Sequence, residues 1–180
     1  MSTAYDLSLD DLTARLGELG EPAFRAKQIY AQLWKRSATY DAMTDIAPAL
    51  RDQLARELPL GVEQLDERIA DDGATRKSLL KLGAKGHIVE VVLMGYPERV
   101  TVCISSQVGC GMDCGFCATG QMGLMANLTA GEIAAQVVWA RREAARLPET
   151  TPRRLTNVVF MGMGDAKNKF HYYPWGGADD

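Results

Sequence analysis

The spacing of apolar positions changes twice along the chain, and each change predicts a different kind of element. Up to about residue 60 the period is helical. Leu9, Leu12, Leu16 and Leu19 recur at steps of three and four between a capping signal, Ser8 with Asp11, and Gly20. Pro22 opens a second predicted helix whose apolar face is Ala26, Ile29, Tyr30, Leu33 and Trp34. Asp45 precedes a third, with Leu50, Leu54 and Leu58, stopped by Pro59. From Val62 the period becomes two. Runs at about 62–69, 75–82, 87–94 and 100–105 are separated by Asp71-Asp72-Gly73, Gly83-Ala84-Lys85-Gly86 and Gly95-Tyr96-Pro97, which predicts an antiparallel meander.

Past Ser105 the order becomes strand, glycine-rich cysteine loop, helix, strand. The helix starts at a capping box, Thr129 with Glu132, and its apolar face is read as Ile133, Val137, Val138 and Ala140. The following β run, Thr156 to Met161, ends in Gly162-Met163-Gly164-Asp165. One βαβ unit implies a parallel α/β sheet with chemistry at the carboxyl ends of its strands. Residues 166–180 follow neither period, and two parallel strands are not a stable sheet, so the sequence reads as cut short where its sheet begins. The expected fold class is α/β: a helical module over 1–60, a β-meander linker over 61–99, the first part of a βα unit over 100–165, and an unmatched tail.

Composition narrows the function classes. The 180 residues carry 20 Lys and Arg against 23 Asp and Glu, a net charge of −3, and no long segment is basic. A protein coated in positive charge for nucleic acid is excluded, and any RNA contact must rest on local clusters such as Arg25-Lys27-Lys35-Arg36. The N-terminus has neither a basic stretch nor an apolar one, which points to a cytoplasmic chain with no membrane segment. All four cysteines, Cys103, Cys110, Cys114 and Cys117, lie within fifteen positions, the usage of reduced thiols kept for chemistry.

The strongest chemical signal is Cys110-Gly-Met-Asp-Cys114-Gly-Phe-Cys117. Three thiolates at C-x3-C-x2-C spacing on a glycine-rich loop can ligate three corners of an iron–sulfur cube and leave the fourth iron open to a ligand. Structural zinc is the second reading, with Cys103 or His87 as a fourth ligand, and three unrelated buried cysteines the third. Glu90 lies in a run apolar on both faces, Ile88 to Leu93, so burial and a raised pKa are expected for it.

These residues, with Asp72-Gly73-Ala74-Thr75-Arg76-Lys77, Cys103-Ile-Ser-Ser-Gln-Val-Gly-Cys110, Phe116-Cys117-Ala-Thr-Gly120, Asn127-Leu-Thr129 and Asn157-Val-Val-Phe-Met-Gly-Met-Gly164, resemble the bacterial radical S-adenosylmethionine (SAM) RNA adenine-C2 methyltransferases. The resemblance runs from residue 7 to about 165 and matches the first half of a family member. It implies the opening of a partial (βα) radical SAM barrel, and a helical module that recruits RNA. It implies a [4Fe-4S] cluster on Cys110, Cys114 and Cys117, SAM on the open iron, and SAM contacts at Gly164 and Asp165. It assigns Glu90 as general base and Cys103 as the thiol that releases product through a transient disulfide. Asp165 and Ala166 stand where the family has Glu and Pro. The implied partners are 23S rRNA, tRNA and an electron donor, and the chain is expected to be a monomer. The family's methyl-accepting cysteine falls beyond the matched region, so the 180 residues alone are expected not to methylate RNA. A C8-specific relative, a zinc-bearing RNA-binding module and an inert truncation product are the alternatives.

Overall fold

The computed structural model describes residues 3–164. After a 3-10 turn at Ala4–Asp6 come three helices, α1 (Leu9–Glu18), α2 (Ala23–Lys35) and α3 (Pro48–Glu57). The Ser8 hydroxyl accepts from Asp11 N at 3.1 Å, the capping box expected at the start of α1. Leu12 and Leu16 of α1, Ala26, Ile29 and Leu33 of α2, and Leu50 and Leu54 of α3 are buried together, so the helical period of the sequence marks the core of this module. Helix α3 starts at Pro48 rather than just after Asp45. The Asp45 carboxylate instead accepts from Gln28 Nε2 at 2.6 Å and Gln32 Nε2 at 2.8 Å, tying the approach to α3 onto α2.

Five strands form the main sheet, in the order β1 (Val62–Ala70), β2 (Thr75–Leu82), β3 (His87–Gly95), β4 (Val100–Cys103), β7 (Asn157–Val159). The first four are an antiparallel meander, as expected, and β4 pairs with β7 in parallel. The meander and the βαβ unit therefore share one sheet. Between β4 and β7 the chain makes a two-stranded hairpin, β5 (Gln107–Gly109) with β6 (Leu124–Asn127), a short α4 (Ala118–Gln121), and the crossover helix α5 (Ala130–Glu143).

Among the described residues one sheet face is buried and the other is more exposed. Leu80, Leu82, Val89, Val91, Leu93, Val100 and Val102 are buried in the same core as Ala135, Val138, Trp139 and Ala140 of α5. On the opposite face Lys77, Lys81, Ile88 and Glu90 are exposed, and Leu79, Val92, Met94 and Cys103 are half-buried. The α5 face differs from the expected one. Val138 and Ala140 are buried, but Ile133 and Val137 are only partly so, and the polar Glu132 and Gln136 take inner positions.

The N-terminus of α5 is a junction. Thr129 Oγ1 accepts from Glu132 N at 3.1 Å while Glu132 Oε2 accepts from Thr129 N at 2.8 Å. Asp6 adds a second cap from the far end of the chain, accepting from Thr129 Oγ1 at 2.8 Å and Gly131 N at 3.2 Å. His87, expected to be an ordinary hairpin residue, places Nδ1 2.9 Å from Glu132 Oε1. At the other end of α5, Arg141 donates to Trp34 O and Lys35 O, the last carbonyls of α2. Tyr5 stacks edge-on against Trp34 across the same boundary, ring centroids 5.4 Å apart. Of the basic cluster on α2, Arg25 bonds to Gln28 and pairs with Glu21.

Candidate functional site

The carboxyl ends of β4 and β7, at Cys103 and Val159, lie side by side in the parallel ladder. Cys103 is registered with Val92 on β3 and with Val159 on β7, so its side chain shares a face with Val92 and, two residues back along β3, with Glu90. Cys103 is a free, half-buried thiol. Burial pushes its pKa up, and a hydrogen bond with the Met161 backbone works weakly against that shift.

Glu90 is not buried. Its side chain is 46% exposed, and Oε1 stands 2.7 Å from Lys77 Nζ. The run around it is apolar on both faces, but the helix layer covers one face only, and Glu90 points to the other. Burial expected from composition therefore fails, and the partner is Lys77; Lys81 pairs with Glu63 at 3.1 Å.

The cysteine loop leaves β5 through a constrained turn. Gly109 has φ +74, and a side chain there would collide with the Gly123 carbonyl. Cys110 N donates to that same carbonyl at 3.0 Å, closing the loop at its base. At the far end Cys117 N donates to Cys114 O at 2.9 Å and Cys117 is the residue before α4. Gly120 packs so tightly that an added Cβ would stand 2.9 Å from Cys114 N. Cys110, Cys114 and Cys117 are free and half-buried on this one loop. The side chains around them are apolar and open to solvent, with Phe116 94% exposed and Met112, Met122, Leu124 and Met125 each about half exposed.

Among the described residues no three His, Cys, Asp or Glu side chains are gathered as a ready metal-binding group. The loop brings the three thiols into one tightly folded segment without bringing them to a common point. The donor set itself fits a thiophilic centre: three thiols on a glycine-rich backbone. The fourth zinc ligands considered from the sequence are placed elsewhere, Cys103 in the β4 ladder and His87 against Glu132. Gly164, at φ +103, lies against Ser106 and Gln107; Asp165 and the tail, with His171, lie outside the described residues. Two residues that hydropathy reasoning passed over, Ser105 and Gln136, are fully buried beside this region and bonded to each other.

Residues 4–59 match the family model described as ribosomal RNA large subunit methyltransferase N-terminal domain. A protein of Chloroflexus aurantiacus named probable dual-specificity RNA methyltransferase RlmN is 50% identical over 164 residues, which cover 89% of this chain and 43% of that protein. A protein of Roseiflexus sp. with the same name is 43% identical over 197 residues, 89% of this chain and 49% of that one. The crystal structure of a radical SAM methyltransferase from Sphaerobacter thermophilus superposes with a TM-score of 0.83 at 46% identity, covering 95% of this chain and 49% of that one. The chain belongs to the RlmN-type radical SAM methyltransferase family, over its N-terminal half. It spans about half the length of the curated relatives it matches. The family model takes in the three helices α1–α3. No helix among the described residues is long and apolar enough to cross a membrane.

Proposed function

We propose that this chain carries the RNA-presenting module and the cofactor loop of a radical SAM methyltransferase acting on C2 of adenosine in 23S rRNA and tRNA. Most support comes from the C-x3-C-x2-C loop, three free thiols on one tightly closed segment, in a chain 46% identical to a radical SAM methyltransferase of the same fold. Cys110, Cys114 and Cys117 would hold a [4Fe-4S] cluster, which when bound supplies the reductive cleavage of SAM.

The chain's own residues carry the remaining tasks. The backbone at Gly162–Gly164 and the carboxylate of Asp165 orient the amino end of SAM. Glu90, on the open sheet face and held by Lys77, accepts the proton removed from the adenine ring. Cys103, on the same face, supplies the thiol that releases product; because burial favours its protonated form, it must give up a proton before it attacks. Residues 1–60 recruit RNA, 61–99 link, and 100–165 open the barrel. The reaction also calls for an electron donor and takes place in the cytoplasm on a monomer.

Anaerobic incubation with ferrous iron and sulfide tests the reading. The expected product is brown, with about four iron and four sulfide per chain, and a Cys114→Ala variant loses both. A colourless protein that takes up zinc and no sulfide overturns it in favour of a binding module.

A further inference from the structure

Gln136 sits in the middle of α5 with no exposed surface, a costly place for a carboxamide unless its polar atoms are bonded. They are. Gln136 Oε1 accepts from Ser105 N at 2.9 Å, and Nε2 donates to Ser105 O at 2.9 Å and to Glu132 O at 3.3 Å. The first two bonds close a ring between one side chain and one backbone residue, as a neighbouring strand would. Ser105, also without exposed surface, uses its hydroxyl in both directions, donating to Glu90 O at 2.8 Å and accepting from Met163 N at 2.9 Å. Met163 O accepts in turn from Ser106 N at 2.9 Å and Gln107 N at 3.2 Å. The approach leaves no room for side chains. An added Cβ at Gly162 would stand 2.7 Å from both Ile104 O and Ser105 Oγ.

Ser105 is therefore the point where β3, the crossover helix α5, and the segments leaving the parallel strands β4 and β7 meet. Such segments at the carboxyl ends of parallel strands form the ligand crevices of α/β folds. A fully satisfied polar network in the interior holds one geometry rather than several. We propose that Ser105 and Gln136 are a positioning pair. They set the stand of the 162–164 turn relative to Glu90, Cys103 and the cysteine loop, and through it the affinity of the site for SAM. The identity of the ligand rests on the function proposed above; the tie between the segments does not.

Ser105→Ala removes one oxygen and leaves both Gln136 bonds to the backbone, so it tests the pair with the least risk to folding. In the chain without cofactor, amide hydrogen exchange at Met163 is expected to quicken about tenfold, with the amides of α1–α3 unchanged. After anaerobic loading with iron and sulfide, the iron content is expected to equal that of the parent. The SAM dissociation constant is expected to rise about tenfold. Gln136→Met, which keeps most of the volume and deletes the ring, is expected to weaken SAM in the same direction. Unchanged exchange at Met163, or parental SAM affinity in Ser105→Ala, overturns this inference alone. Failure of the loaded parent to bind SAM overturns the ligand reading, and this role with it.

Discussion

Asp6 to Ala is the perturbation whose cost follows most directly from the structure. One carboxylate serves two elements distant in sequence. Oδ2 accepts from Thr3 N and Thr3 Oγ1, both at 2.8 Å, and closes the 3-10 turn that starts the chain. Oδ1 accepts from Thr129 Oγ1 and Gly131 N and caps α5, where a negative charge also meets the positive end of the helix dipole. A lost cap costs on the order of 1 kcal/mol and the lost charge at a helix N-terminus roughly 0.5 kcal/mol. Counting a further bond of about 0.5–1 kcal/mol for the Thr3 turn gives about 2 kcal/mol in total. In a chain of this size that is a fall of about 4–8 °C in Tm. Urea unfolding followed by far-UV circular dichroism measures the free energy, and Asp6→Asn, which keeps one oxygen, is expected to fall between the parent and Asp6→Ala. A loss below about 0.5 kcal/mol in Asp6→Ala would refute the idea that this residue joins the helical module to α5, because surface positions without such a role stay within that range.

Arg76 and Glu67 are both nearly buried and bonded twice, Nε to Oε1 at 3.0 Å and an Nη to Oε2 at 2.9 Å. Arg76→Ala is expected to cost about 2 kcal/mol in urea unfolding by removing two charge-assisted bonds and leaving Glu67 with Arg146 at 4.0 Å, whereas Arg76→Met with Glu67→Leu recovers most of it; a single-variant cost under about 1 kcal/mol would class the pair as a surface one. The Asp45 carboxyl is held below its ordinary range chiefly by the Gln28 amide, with Gln32 and Arg36 adding to it. A carboxyl lowered in the folded state adds stability above the unfolded carboxylate range and loses it as pH falls through the lowered value. Asp45→Asn is accordingly expected to flatten the acid side of a Tm-against-pH curve, and a curve parallel to the parent's would contradict this. With Cys110, Cys114 and Cys117 replaced by Ala, the raised pKa of Cys103 should make its alkylation by iodoacetamide at pH 8 slower than that of an unstructured cysteine peptide; an equal rate counts against it.

The elements legible in the sequence were those whose signals are local. Capping boxes at Ser8 and Thr129, the two-residue period of the meander and the Gly-rich turns are decided by neighbours in the chain, and they appear where the pattern puts them. The β5–β6 hairpin was not legible, because strands of three and four residues among glycines carry too few side chains to show alternation. Glu90 illustrates the opposite limit. Apolar neighbours on both faces of β3 imply two covering layers, but coverage is decided by elements far along the chain, and among the described residues α5 packs on the face that holds Val89, Val91 and Leu93. Gln136 and Glu132 escaped for a related reason: a polar residue on a helix is assigned to water unless its buried partner is known, and Ser105 and His87 are 31 and 45 residues away. The spacing of Cys110, Cys114 and Cys117 was fully visible, since metal chemistry on one loop needs only a local count.

Under the proposed function, three thiolates on this loop leave a metal position open to SAM. Electron paramagnetic resonance of the chain, loaded anaerobically with iron and sulfide and reduced with dithionite, tests it most directly. A reduced-cluster signal whose g values shift when SAM is added is the expected result. A signal indifferent to saturating SAM, or no iron–sulfur signal at all, would contradict it.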